Sequence, residues 1–379
     1  MVRDLPDTWR HVPLSCVLEL QRGHDLPAST RSGGTIPVIG SFGITGFHDL
    51  ARYSGPGVAI GRSGAAIGKA TYVPGAYWPL NTCLFVRDFK GNDPRWVHRI
   101  LGGIDFAAFN SGSAQPSLNR NFLQEIPVAR PPVVEQRAIV EVLGALEEKI
   151  AANAHVCNAA GALADAQFAA RAGVWVSDGT TFAEVADIGG GGTPSTADAT
   201  LWNGEIAWAT PTDVTALRAP YLLGTSRTIT AKGLASCASP LYPMGSILMT
   251  SRATIGAFAI AERPTAVNQG FIVVNARQPS SQWWFFHQMR ARVSEFLSYA
   301  NGATFLELSR GQFRQLPVWT AEDSVVAEFD AVADVLHRRA SAAMQETAQL
   351  ALLRDTLLPE LMSGRLRVKD AERVVEDAV

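Results

Sequence analysis

Residues 61–70 read "GRSGAAIGKA" and bring glycines and a lysine together as a phosphate cradle would. A Walker loop needs G-x-x-x-x-G-K-[ST], because four residues between the glycines curve the backbone amides around phosphate and the last hydroxyl holds the metal. Gly64 and Gly68 are only three residues apart, Ser63 stands where the first glycine belongs, and Ala70 has no hydroxyl. The stretch therefore fails on spacing and on chemistry. It recurs at Ser251–Ala259, "SRATIGAFA", with Ile67-Gly68 falling on Ile255-Gly256 and no lysine in the second copy. A serine, a run of small residues and Ile-Gly before apolar residues suit a tight hairpin or a bulged strand.

Other candidates for chemistry fail in similar ways. An adenine methyltransferase flips its base onto an Asn/Asp-Pro-Pro-aromatic tetrapeptide, and "NDPRW" from Asn92 has one proline in the wrong order. "IGGGGTPS" from Ile188 resembles a cofactor glycine loop but lacks the helical pattern and the spaced acidic residue that such a loop requires. Glu205 and Asp213 lack the further acidic or lysine partner of a nuclease array, so a loop carboxylate that caps a turn or accepts from cytosine fits better. Cys16, Cys83, Cys157 and Cys237 lie far apart with no C-x-x-C and no histidine at ligand spacing, so reduced, buried thiols are expected and no metal. Net charge is −2, too little for coating nucleic acid by bulk attraction. Arginine supplies most of the positive charge, and its planar fork suits bidentate contact with phosphate and guanine.

These residues are carried by a chain that repeats itself. "GSAQPSLNRNFLQEIPV" at 112–128 lies without gaps on "GATFLELSRGQFRQLPV" at 302–318, pairing Leu118 with Leu308 and Arg120 with Arg310. "NTCLFV" from Asn81 matches "NQGFIV" from Asn268 with one gap. Each copy opens with glycine-, proline- and β-branched-rich sequence, predicting short strands and turns, and closes with a long helical pattern. The first helix is expected from about Pro131-Pro132 to about Arg171, with Ile139, Val142, Leu146 and Ile150 on one stripe. The second is expected from about Ala321 to Met362, with Phe329, Val332, Leu336, Ala340, Ala343, Thr347 and Leu350 on its stripe and Ser363-Gly364 as its stop. At 1.5 Å per residue each spans roughly 55–60 Å. Such helices are expected to bury their stripes on each other as a coiled-coil pair, the alternative being packing on their own domains.

With 379 residues, 47% hydrophobic and 18% charged, the chain is long enough for two or three domains with sizeable cores. No run of eighteen apolar residues and no signal-peptide core occur, so a cytoplasmic protein without a membrane span is expected. Domains are expected at 1–130, 173–319 and, as helices, 131–172 and 320–364, followed by a C-terminal tail at 365–379.

The ordered series of motifs resembles the DNA-specificity subunit of Type I restriction-modification systems over nearly the whole chain. The residues that carry this are "LPDTWRHVPLSCV", "GGTPS" at 191–195, "LWNGEIAWATPTDV" at 201–214, "LMTSRATIGAFAI", "VNQGFIVV", "PPVVEQRAIVEVLGALEEKI" and "LLPELMSGRLRV". The first copy departs from the pattern, with "RGHDLP" in place of "GGTPS" and "VIGSFGITGFHD" in place of "ATPTDV", so the two copies are expected to read different DNA. The resemblance implies an α+β chain of two mixed α/β target-recognition domains separated by two long antiparallel helices, with pseudo-twofold symmetry. It implies a non-catalytic subunit that reads a bipartite duplex and directs two methyltransferase subunits to it, with restriction subunits joining in the full complex. No cofactor is expected in this chain; S-adenosylmethionine belongs to the methyltransferase partner, ATP and magnesium to the restriction partner. A DNA adenine methyltransferase, or a coiled-coil scaffold without base readout, is the alternative. Candidate DNA contacts are Arg62 and Ser63 with Ser251 and Arg252, which recur in both copies, and Thr193, Ser195, Thr210, Thr212 and Asp213 on expected loops. Asn81, Asn268 and Gln269 carry amides suited to adenine, and Arg120 and Arg310 precede the return to the helix.

Overall fold

The computed structural model describes residues 5–109, 118–171, 178–302 and 306–377. Residues 112–117 of the first repeated motif, 303–305 of the second and the expected boundary at 172–173 lie outside them. The chain divides into two compact units, Met1–Lys149 with Leu350–Val379, and Ile150–Gln349.

Unit 1 contains, in chain order, β1 (Arg10–Pro13), β2 (Glu19–Arg22), β3 (Ile36–Gly40), β4 (Gly43–His48), β5 (Gly57–Gly61), β6 (Ala70–Val73), β7 (Trp78–Pro79), β8 (Cys83–Asp88), α1 (Pro94–Gly103), α2 (Arg120–Leu123), β9 (Pro127–Arg130) and the start of α3 (Val133–Ala169). Unit 2 contains the rest of α3, then α4 (Phe182–Val185), β10 (Ala186–Gly189), β11 (Trp202–Ala209), α5 (Pro211–Thr215), β12 (Tyr221–Leu222), β13 (Arg227–Ile229), α6 (Ala231–Ala235), β14 (Ile247–Thr250), β15 (Phe258–Ala261), β16 (Thr265–Val267), β17 (Phe271–Ala276), α7 (Gln282–Ala291), α8 (Val293–Ser298), α9 (Arg310–Arg314) and most of α10 (Asp323–Met362). The end of α10 and α11 (Val368–Glu376) return to unit 1.

The internal repeat is a repeat of topology. Unit 1 orders its main sheet β2-β8-β5-β6 and its small sheet β4-β3-β7; unit 2 orders them β10-β17-β14-β15-β12 and β13-β11-β16. In both small sheets the middle strand pairs antiparallel on one side and parallel on the other. Alternation along the central strands explains the layering. Val58 and Ile60 of β5 pack with Trp96, Val97 and Leu101 of α1, while Ala59 faces Ile39, Tyr77 and Phe85. In unit 2, Ile247 and Met249 of β14 face the helices and Leu248 faces Ala209 and Val267 of the small sheet. Because both faces of these strands are covered, the strands read as continuous apolar runs.

The long helices are 37 and 40 residues, close to their expected bounds. α3 begins after Pro131-Pro132, where Gln136 is fully buried and donates to the Asn92 side chain and to Pro131 O. α10 ends where Gly364 turns at φ +73°. In unit 2 the two helices meet directly: the Cys157 thiol donates to Ala340 O at 3.2 Å, and Asn153 to Glu346 at 2.8 Å. Both helices also pack on the globular layer of the same unit, since Cys157, Ala160, Phe168, Phe329, Ala333, Ala340 and Ala343 share one core with Trp284 and Phe286. Helix pairing and packing on the domain therefore coexist.

Several expectations need correction. Val332 is 43% exposed, and Ala333 takes its place in the stripe, because α10 packs closely through alanines that carry little apolar contrast. The segment beyond residue 364 is not a plain tail, since α11 buries Ala371 and Val375. Cys83 and Cys157 are buried, but Cys16 is exposed and Cys237 half-buried.

A buried polar chain ties α3, α7, α10 and β12 together in unit 2. His287 hydrogen-bonds Asp165 at 2.8 Å and His337 at 2.9 Å, and His337 hydrogen-bonds the Tyr221 hydroxyl at 2.8 Å. With Asp165 ionised, one order of neutral donors satisfies all three bonds: Tyr221 donates to His337, His337 to His287, and His287 to Asp165. Burial lowers both histidines, His337 to about 3, and raises Asp330 to about 6 against the N–H bonds it accepts from Trp283 and Trp284.

The signs of these shifts set a pH dependence. Below about 6.5 an unfolded histidine takes up a proton that the folded pair refuses, so stability falls with acid. Asp330 opposes this below about 6, where the folded carboxyl binds a proton before the unfolded one does. Denaturation between pH 6.5 and 5 should therefore show a fall that is shallower in His337→Asn, by up to about 1.4 kcal/mol per pH unit, and steeper in Asp330→Asn. Equal slopes in all three proteins would contradict this account.

Candidate nucleic-acid interface

In each unit the hairpin loop that follows the central strand is fastened to the segment leading back to a long helix. Leu118 N–H donates to Arg62 O at 2.9 Å in unit 1, and Leu308 N–H to Ser251 O at 3.0 Å in unit 2. Leu118 and Leu308 are each 1% exposed, so the leucine shared by both repeats anchors the junction. The glycines of the repeated Ile-Gly, Gly68 and Gly256, both take positive φ, +75° and +85°, and donate back to Gly61 O and Thr250 O. These tight turns form the hairpin that the repeated Ile-Gly predicts. Matched by these bonds, Arg62 is the counterpart of Ser251, one position away from the match by sequence.

In unit 2 this fastening gathers the expected loops. The glycines of "GGTPS" are required by close backbone approach: a Cβ on Gly191 would lie 1.8 Å from Val267 O. The Thr193 hydroxyl then donates to Gln269 at 2.6 Å, and Asn268 accepts from Gly270 N–H at 2.8 Å. Gly270 lies against Pro211 and accepts from Ser251 N–H at 2.8 Å. Arg252 pairs with Glu307 at 2.8 Å, and the Arg310 guanidinium lies over Gly190. Thr193, Arg252 and Gln269 on loops, and Arg310 at the start of α9, are thus exposed side chains on segments joined to one another. Ser251 is only 3% exposed, and it holds the patch through its backbone.

Other candidates are used by the fold. Thr210 and Asp213 form a capping box on α5, with Asp213 accepting from Thr210 N–H and hydroxyl and from Ser226 N–H. Burial opposes the Asp213 charge, but these bonds hold its carboxyl below the ordinary range. Thr-x-x-Asp before a helix was a legible capping signal. Thr212 and Ser195 are exposed, and Ser195 O accepts from Trp202 Nε1 at 3.0 Å. Asn92 of "NDPRW" is buried, donating to Val17 O and accepting from Gln136, so its amide serves the core.

In unit 1, Arg62 and Arg120 come together across a concavity also lined by Arg22 and Arg87. Those last two arginines, from β2 and β8, were missed: strand pairing brings them to the same rim, and nothing local in the sequence marks them. The Asn81 side-chain amide donates to Asp25, and the Asn81 backbone carbonyl accepts from Arg22 at 3.3 Å. Ser63 precedes the single turn Gly64–Ala66 without capping it. Four guanidinium groups, of which Arg87 pairs with Glu19 at 3.5 Å, leave a local positive surface on a chain of net charge −2, suited to the phosphates of a nucleic acid.

The chain is similar to known proteins. Residues 6–159 and 180–320 match the family model described as Type I restriction modification DNA specificity domain. The MjaIX specificity subunit of a Type I restriction enzyme from Methanocaldococcus jannaschii is 33% identical over 137 residues, 36% of this chain and 32% of that protein. A putative Type I restriction enzyme specificity subunit from Haemophilus influenzae is 28% identical over 122 residues, 31% of this chain and 32% of its own. Each match thus spans about a third of the relative's length. The crystal structure of a Type I restriction-modification system S subunit from M. genitalium shares the fold at TM-score 0.69 and 14% identity, covering 95% of this chain and 97% of that one.

Replacing Gly191 by alanine should destabilise unit 2 by about 1–3 kcal/mol, the usual range for forced overpacking. Gly224→Ala is the control, because a Cβ there meets nothing within 4 Å. Denaturant melts that rank the two variants equally would remove the packing explanation for the glycine run.

Proposed function

The chain belongs to the family of Type I restriction modification DNA specificity domains, and we propose that it is the subunit that reads a bipartite duplex, one half-site per unit. The observation that carries this reading is the recurrence, in two units whose main sheets share the order of four strands, of one hairpin loop fastened to an arginine-bearing return segment. Two copies of a reading face on one chain fit a target of two parts. In unit 1, Arg62, Arg120 and Ser63 contact phosphates, and Asn81 lies at the edge of that hollow. In unit 2, Arg252 and Arg310 anchor phosphates, while Thr193, Ser195, Thr212, Asn268 and Gln269 present hydroxyls and amides to base edges in the major groove. Ser251, Thr210 and Asp213 act by positioning those loops.

The chain in this reading performs no chemistry. Two methyltransferase subunits dock along α3 and α10 and use S-adenosylmethionine; restriction subunits join with ATP and magnesium. The long helices act as the spacer between half-sites. Assembly on chromosomal DNA puts the protein in the cytoplasm, and among the described residues no helix is long and apolar enough to cross a membrane. A scaffold without base readout would have no need of two arginine-bearing faces. The methyltransferase alternative loses its two motifs to the core, Asn92 to buried hydrogen bonds and the glycine run to backbone packing.

Two measurements test this. The purified chain with S-adenosylmethionine should transfer no methyl group to DNA until methyltransferase subunits are added; transfer by the chain alone refutes the non-catalytic role. The double variant Arg62→Ala, Arg120→Ala should weaken binding to every duplex and flatten the slope of log K against log salt by about 2, close to one unit per lost phosphate contact. An unchanged slope would remove these arginines from the interface.

A further inference from the structure

Unit 1 leaves one apolar surface open. Phe42, Ile44, Phe47 and Leu50, on and just after the β3–β4 hairpin, are 53–62% exposed, and β4 is the edge strand of its sheet. An exposed, apolar edge strand invites aggregation unless a partner covers it. The bulge between Val38 and Ile39 re-aims this strand, so the apolar positions do not follow simple alternation into the core.

Charge decides what the hairpin turn meets. Lys69 Nζ lies 5.5 Å from the centre of the Phe42 ring. The neighbouring Ser41 hydroxyl donates to Thr82 O at 2.7 Å, and the same carbonyl accepts from Arg62 N–H at 3.2 Å. The turn bearing Phe42 is thereby tied to Arg62, one of the four arginines that line the hollow. The nearby carboxylate of Asp49 sits at the opposite end of the hairpin and is engaged by Ser32 at 2.6 Å. A two-stranded ribbon fits the major groove, and the apolar feature a groove offers is the thymine C5 methyl group. Unit 2 has no such ribbon after its corresponding strand: β11 runs into the capped helix α5.

We infer that the β3–β4 ribbon is the base-reading element of unit 1, and that Phe42, with Ile44 beside it, selects thymine by contact with its methyl group while Lys69 holds an adjacent phosphate. This rests on the proposed reading of DNA and specifies its chemistry. Unit 1 would then discriminate largely by apolar contact, and unit 2 by hydroxyls and amides.

The test begins with the target sequence, obtained by mapping N6-methyladenine in cells that carry the gene. The full chain, assembled with its methyltransferase subunits, is then titrated with a duplex of that sequence and with duplexes in which one thymine at a time is replaced by uracil. At one or more thymines of a single half-site, uracil should weaken wild-type binding about fourfold, the factor expected for one buried methyl group. In Phe42→Ala, thymine and uracil duplexes should bind alike; Lys69→Ala should weaken both and keep their ratio. Phe42 is 62% exposed, so its variant should melt like the wild type. The inference is overturned by uracil sensitivity that survives in Phe42→Ala, by insensitivity at every position, or by a target half-site without thymine. Loss of methyltransferase association in Phe42→Ala with unchanged DNA affinity would assign the ribbon to a protein partner instead. If wild-type protein does not prefer the mapped sequence to a shuffled duplex, the DNA-reading proposal itself falls.

Discussion

One backbone hydrogen bond, made twice, organises the arginine-bearing part of each proposed face. Leu118 N–H to Arg62 O, and Leu308 N–H to Ser251 O, join the loop after each central strand to the residues that lead back into a long helix. Because the leucines are buried, the bond cannot be exchanged for water without exposing apolar surface. It sets Arg120 opposite Arg62, and it fixes the loop through Ser251 that carries Arg252. Each proposed face therefore draws its precision from the core beneath it, and its side chains remain free to differ between copies.

The helices need a different kind of constraint. In unit 2 they meet through alanine and cysteine at close range, and the Tyr221–His337–His287–Asp165 chain locks α7 onto both of them. Polar groups buried in this way stabilise only when every donor finds an acceptor, which the neutral order of donors achieves. The same network makes helix docking in unit 2 sensitive to acid, because burial holds both histidines neutral.

Much of this was legible in the sequence because it depends on local rules. The repeat located Leu118 and Leu308, the positive-φ glycines marked the two hairpins, and Pro131-Pro132 and Ser363-Gly364 bounded the helices. The stripe of α10 was misplaced at Val332, since hydropathy favours valine where close packing selects Ala333. The rim formed by Arg22 and Arg87 depends on the pairing of β2 with β8, a contact between residues more than sixty positions apart. The exposed face of the β3–β4 hairpin was also illegible, because "VIGSFGITGFHD" carries the apolar composition of a core strand.

The central claim is that two independent readers share one helical spacer. Exchanging residues 1–128 for the corresponding segment of another specificity subunit, and sequencing the methylome of cells that carry the chimera with its methyltransferase, tests it most directly. Base contacts made locally by separate units should combine without coupling. The account predicts that one half of the methylated sequence changes while the other half and the gap between them stay the same; a change in both halves would contradict it.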